Sequence, residues 1–125
     1  MLTDFWTAFA DGDGTRLRGL LADGVAFASP AFAEPTVGGD TVAHVLTTAR
    51  GVYAGLTLTH ELGDGGDGGA LFFGATVGEQ AIQGVYRVDV DAGRVVRIDA
   101  LFRPVAAAET LVRLMMERLA AGGPA

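Results

Sequence analysis

Apolar residues at Leu2, Phe5, Trp6 and Phe9 recur three and four apart, which predicts an amphipathic helix with a heavy aromatic face. Asp11-Gly12-Asp13-Gly14 ends it, and Asp13 is placed to cap a short second helix carrying Leu17, Leu20 and Leu21. Asp23-Gly24 breaks that helix, and a strand at Val25-Ala26-Phe27 halts at Ser29-Pro30. Pro30 and Pro35 bracket a loop around Phe32. Gly38-Gly39 and a capping Asp40 open a third helix, with Val42, Val45, Leu46, Ala49, Val52 and Tyr53 on one face.

Beyond residue 55 the period changes from 3.6 to 2. Leu56, Leu58, His60 and Leu62 are expected on one strand face, with Thr57, Thr59 and Glu61 on the other. The Asp/Gly tract at 63–69 reads as a hairpin loop. Ala70 to Glu79 is a strand apolar on both faces, with Phe72 and Phe73 pointing opposite ways. Ile82, Gly84, Tyr86, Val88 and Val90 form one face of the next strand, and Asp91-Ala92-Gly93 turns. Val96, Ile98, Ala100 and Phe102 form one face of the last strand, which Pro104 ends. Val105 to Ala120 reads as a closing helix, and Gly122-Gly123-Pro124 as a frayed tail. Helices first, then a hairpin-linked antiparallel sheet and an extra C-terminal helix make an α+β layer pattern. A curved sheet with helices on one side leaves a concave space where ligand pockets form.

Composition narrows the function classes. The 125 residues read as one domain, residues 1–125, and half of them are hydrophobic, which suits a packed core. The net charge of -6 disfavours nucleic acid and anionic membrane as partners. There is no cysteine, so there is neither disulfide nor thiolate chemistry. The first residues, Met1-Leu2-Thr3-Asp4-Phe5-Trp6, carry no basic stretch, and no apolar run is long enough to span a bilayer. The expectation is a cytoplasmic protein.

Gly12-Asp13, Leu20-Leu21-Ala22-Asp23, the stop at Ser29-Pro30, Gly39-Asp40 and the terminal GRVVRIDALFRP (residues 93 to 104) together resemble the nuclear transport factor 2-like superfamily, in its SnoaL-like branch. The resemblance covers about residues 2 to 119. It implies a cone-shaped α+β barrel of the cystatin-like type, a deep apolar pocket and dimers packed through the sheet. The related ketosteroid isomerases place a carboxylate base just before the proline that ends the first strand; this chain has Ser29 there. Their oxyanion hole takes a tyrosine from the first helix, where this chain has Phe5, and a protonated acid on a later strand, where Tyr86 is the nearest match. The related epoxide hydrolase needs an inward Asp-Arg-Asp set, whereas Asp99 alternates with Ile98 and Ala100 and so faces away from a pocket they line.

His60, between Leu58 and Leu62, is a candidate base or ligand donor; the plainer reading is a half-exposed histidine near a strand end. Tyr86 either donates to a ligand carbonyl or is a core tyrosine satisfied by backbone. Ser29 can contact a ligand, though serine before proline is also an ordinary turn residue. Leu46, Tyr53, Ile98, Ala100 and Phe102 are the expected pocket walls. The two histidines make no metal signature, and no cofactor is implied. Arg97, Asp99, Leu101 and Arg103 share the other face of the last strand, and with Phe73 and Val95 they suggest a homodimer packed sheet to sheet.

Two function classes remain. One is the binding of a small, mostly apolar organic ligand in the cone, with isomerase-, cyclase- or hydrolase-type proton transfer next to a carbonyl, His60 acting as base and Tyr86 steadying the oxyanion. The other is a non-catalytic dimeric module whose cone is plugged by Phe32, Trp6 or the last helix.

Overall fold

The computed structural model describes residues 1–63 and 65–122. Asp64, in the expected hairpin loop, and residues 123–125 of the expected tail lie outside them. The elements are α1 (Leu2–Ala10), α2 (Gly14–Leu20), β1 (Leu21–Ala28), β2 (Thr36–Val37), α3 (Gly39–Val52), β3 (Ala54–Gly63), β4 (Gly68–Val77), β5 (Gln80–Asp91), β6 (Arg94–Arg103) and α4 (Val105–Gly122). The six strands form one sheet in the order β2-β1-β6-β5-β4-β3, curved but not closed on itself. Every pairing is antiparallel except β1 with β6, because the chain crosses from one side of the sheet to the other between them.

Strand alternation divides the sheet into two faces of opposite character. On the inner face the rows are Leu71–Tyr86–Ala100 and Phe73–Gly84–Phe102. Leu71, Phe73, Ile82, Tyr86, Val88 and Ile98 are buried there, against a helical layer that contributes Leu2, Phe5, Phe9, Leu17, Val42 and Leu46. Gly84 is required by this packing: a Cβ on it would come within 2.6 Å of Phe73 and 2.8 Å of Phe102. Its missing side chain is the space in which those two rings meet, with centroids 6.2 Å apart.

Side-chain ties hold the helices in place. Asp13 accepts a hydrogen bond from the Arg16 backbone N–H at 3.1 Å and so caps α2 as expected. Arg18 lies across Gly39 and bonds Asp40 and Asp23, each at 2.7 Å, and the Leu21 carbonyl at 3.1 Å, joining α2, β1 and α3. Arg50 donates to the Ala10 carbonyl at 2.6 Å and to the Tyr53 carbonyl at 3.1 Å. It thereby satisfies the exposed end of α1 and anchors the chain where α3 becomes β3.

Three expectations are corrected, one at an element boundary and two by register. Leu21 opens β1 rather than closing α2. On β3 a register shift falls between Leu58 and His60: Leu58 pairs with Phe73, but His60 pairs with Phe72. The bulge at Thr59 turns His60 and Leu62 to the outer face, away from Leu58. A second shift, between Asp89 and Val90, makes Val95 rather than Val96 the fully buried residue at the start of β6. The Pro30–Pro35 loop around Phe32 forms as expected, and the short strand β2 that follows it, which the sequence does not signal, pairs Thr36 and Val37 with Phe27 and Ala26. No helix among the described residues is long and apolar enough to cross a membrane.

Candidate functional site

The inner face ends in a cavity of about 70 Å³ between the sheet, the Ser29–Thr36 segment and α4. Its floor is Phe27, Tyr86 and Phe102; one wall is Val45, Ala49 and Tyr53; its roof is Leu111, Val112, Met115, Met116 and Leu119 of α4. Ser29, Pro30, Ala31, Phe32 and Thr36 form the mouth. A water takes roughly 30 Å³ of liquid volume, so the cavity has room for about two waters or one end of a small organic molecule. A deep, open cone is therefore not what forms. The last helix and Phe32 narrow it, while Trp6 packs elsewhere, against Phe9 and Phe73.

The polar groups in the lining are hydroxyls. Among the described residues that line it there is no carboxylate, imidazole, guanidinium or amine. Tyr53 and Tyr86 are 5 % and 1 % exposed. Both rings are held edge-on by Phe9, at 6.3 and 5.3 Å between centroids, and both lie against Phe73, at 5.8 and 4.9 Å. Burial pushes both phenols well above their ordinary ionisation range; the Tyr53 hydroxyl offsets this only in part for Tyr86. The two hydroxyls are near enough to influence each other's ionisation, yet their geometry falls short of a hydrogen bond. Tyr53 Oη is buried with no hydrogen-bond partner among the described residues. Ser29 Oγ accepts from the Ala31 N–H at 3.3 Å, the ordinary turn role of such a serine.

The expected site residues therefore separate. Ser29, Tyr53, Tyr86 and Phe102 come together at the cavity. Leu46, Ile98 and Ala100 are buried in the core and lie outside the lining. His60 does not reach the cavity. It is exposed on the outer face, its ring 6.0 Å from that of Phe72, on the opposite side of the sheet from Tyr86. The sequence offers the last helix as one candidate plug of the cone but does not point to its individual lining residues or to Thr36; the apolar stripe of α4 does not say what that stripe covers.

The outer face carries a shallow groove of about 590 Å³ over His60, Phe72, Val85, Leu101 and Arg103. Leu101 is 58 % exposed at its centre. Phe73 and Val95, expected to add apolar area there, point inward instead. Beside the groove, Arg87 bonds Asp99 at 2.9 Å and Asp89 at 2.7 Å, and Arg97 bonds Asp99 at 3.1 Å. Partial burial pushes the Asp99 carboxyl up, but the hydrogen bonds from Arg87 and Arg97 outweigh it and hold the group below its usual range. Among the described residues no cluster of three potential metal ligands forms.

No protein-family model and no curated protein matches this chain. Solved structures do. A steroid delta-isomerase from Pseudomonas aeruginosa is 28% identical with a TM-score of 0.90, over 97% of this chain and 90% of that one. An uncharacterised protein with a cystatin-like fold from Silicibacter pomeroyi is 27% identical with a TM-score of 0.89, over 94% and 83%. A protein with a ketosteroid isomerase-like fold from Catenulispora acidiphila, in complex with trimethylamine, has a TM-score of 0.65 at 11% identity, over 86% and 87%, and is alike in fold alone. What these structures share with the present one is an α+β cone. The fold of the chain is that of the nuclear transport factor 2-like proteins.

Proposed function

We propose that this protein binds a small, mostly apolar, uncharged organic molecule in the cavity under α4. The observation that carries the reading is the lining: among the described residues it is apolar side chains on every side, interrupted by the hydroxyls of Ser29, Thr36, Tyr53 and Tyr86. A few convergent polar groups in an apolar recess are what small-molecule sites use to fix orientation. A charged ligand would lose its hydration and find no counter-charge there. The isomerase named among the structural neighbours supports small-molecule chemistry in this superfamily. Proton transfer next to a carbonyl needs a base within hydrogen-bond reach. Ser29 stands where the resemblance to the isomerases places that base, and His60 lies across the sheet, so binding is proposed with no base among the described residues that line the cavity.

Native mass spectrometry of the purified protein tests this. The expected result is a discrete organic mass on each chain. An empty chain that is also not stabilised by any of a panel of compact apolar compounds would contradict it.

A second reading concerns the outer face. The exposed Leu101 beside Phe72, Val85 and His60, flanked by Arg87, Arg97 and Asp99, favours a homodimer packed through this surface. The same spectrum reads the subunit count, and a stable monomer would remove this second reading alone.

A further inference from the structure

We infer that α4 is a lid: its first part, through Leu111, is fixed to the core, and the segment from Val112 onward lifts to admit a ligand larger than the closed cavity. The inference rests on the cavity being a small-molecule site and says how that site opens.

The closed cavity is about 70 Å³. Pockets that enclose whole small organic molecules run to roughly 300–1,000 Å³, so a boundary of this one must move before such a ligand is held. The floor is not that boundary. Phe27 and Tyr86 are buried, and Tyr86 meets Phe27 and Phe102 edge-on, each at 6.4 Å between centroids. Their strands are paired side by side through β6. The roof is built differently. Ala107 and Leu111 are buried and seat the start of α4. From Val112 to Gly122 no residue is buried, yet this stretch supplies Val112, Met115, Met116 and Leu119 to the roof. Among the described residues no side chain of α4 forms a hydrogen bond or ion pair with another element. Thr110 donates to the Ala106 carbonyl at 3.1 Å and Arg113 to Glu117 at 3.4 Å, both within the helix. Few buried contacts and no side-chain ties are what let a segment open without unfolding the rest.

The place of the hinge follows from the same bonds. A threonine hydroxyl bonded to the carbonyl four residues back weakens a helix locally and bends it. Thr110 stands one residue before Leu111, where the seated part ends. Farther along, Arg118 lies over Gly51, where a Cβ would be 3.0 Å from its guanidinium. Gly51 is in the last turn of α3, whose end carbonyls carry partial negative charge and attract a cation. Arg118 is exposed, so this contact holds the segment down weakly enough to release it. Met115 and Met116 are unbranched and can follow the shape of a ligand as the roof rises.

The chain has no cysteine, so a thiol pair can be introduced without competitors. In the full chain carrying Gly51→Cys and Arg118→Cys, a short, reducible bis-methanethiosulfonate bridge would tie the segment to α3. Methylenecyclohexane and xenon are the probes, both followed through ¹³C-methyl methionine signals; xenon is small enough for the closed cavity. Bridging is expected to weaken methylenecyclohexane roughly tenfold or more, with recovery on reduction of the same sample, and to leave xenon within about twofold. Arg118→Glu, which sets a negative charge against the end of α3, should instead strengthen methylenecyclohexane about two- to fivefold, because the bound state keeps the roof raised. Methylenecyclohexane binding equally to the bridged and reduced forms overturns the lid and leaves the pocket reading standing. So does wild type that takes xenon at Met115 and Met116 but refuses methylenecyclohexane, a result that needs no variant to fold. Failure of wild type to bind either probe overturns both.

Discussion

The two faces of one sheet differ more than any two segments of the chain. Strands β4, β5 and β6 contribute alternately to both. The inward residues, Phe73, Tyr86 and Ile98 among them, are buried in an aromatic and aliphatic layer. The outward ones, Phe72, Arg87, Asp99 and Leu101, form exposed ion pairs around an apolar groove. Inside, energy comes from packing, and polar atoms are few and protonated. Outside, charges are solvated, and each contact is worth little to the isolated chain. A side chain's role is therefore set by strand parity, and a single bulge, such as that at Thr59, reassigns it.

This contrast can be broken most strongly in the core. Phe73→Ala is expected to cost about 3–5 kcal/mol of unfolding free energy, whereas Leu101→Ala, on the same sheet, should stay within about 0.5 kcal/mol for the isolated chain. Urea titration of both variants reads the difference directly; equal losses would mean that the outer face is as packed as the inner one.

Alkaline pH separates the faces next. Tyr53 and Tyr86 have ionisation constants raised by burial, so the stability they carry is fully present below the unfolded tyrosine value and is lost as pH rises above it. Above pH of about 10, stability should fall with a slope approaching two protons, about 2.7 kcal/mol per pH unit. Near-ultraviolet tyrosinate absorbance should appear only with unfolding, and Tyr86→Phe should remove one proton from the slope. Tyrosinate forming in the folded chain at its ordinary pH would contradict the burial of the pair.

Gly84→Ala sharpens the comparison further. The added methyl would force Phe73 and Phe102 apart, and a loss of about 1–3 kcal/mol is expected in the same urea assay. The smallest effect belongs outside. Asp99 has a lowered ionisation constant, so its stabilisation is present at neutral pH and lost as pH falls through the carboxylate range. With the partnering arginines largely solvated, the loss should be under about 1 kcal/mol, and Asp99→Asn should abolish that acid-side component.

Much of the fold was legible because periodicity is local. The aromatic stripe of α1, the cap at Asp13, the opposed Phe72 and Phe73, and the outward run of Arg97, Asp99, Leu101 and Arg103 follow from spacing alone. Tyr86, Ser29, Tyr53 and Phe102 were placed at the cavity by the same reasoning joined to the family resemblance. His60 was misassigned because a bulge inserts one residue without a marker in composition, and everything beyond it changes face. Leu46, Ile98 and Ala100 are inward as expected, in the core and outside the cavity lining. The narrowing of the cone by Met115, Met116 and Leu119 depends on where α4 lies over the sheet, a tertiary fact that helical spacing does not contain.

The chain's methionines permit the most direct test of where a ligand sits. Met115 and Met116 line the cavity, while Met1 does not. With ¹³C-methyl methionine in the full chain, methylenecyclohexane should shift the Met115 and Met116 methyl signals in a saturable manner and leave Met1 unmoved. Saturable binding that leaves both methyls in place, or that instead perturbs His60 on the outer face, would contradict the cavity as the binding site.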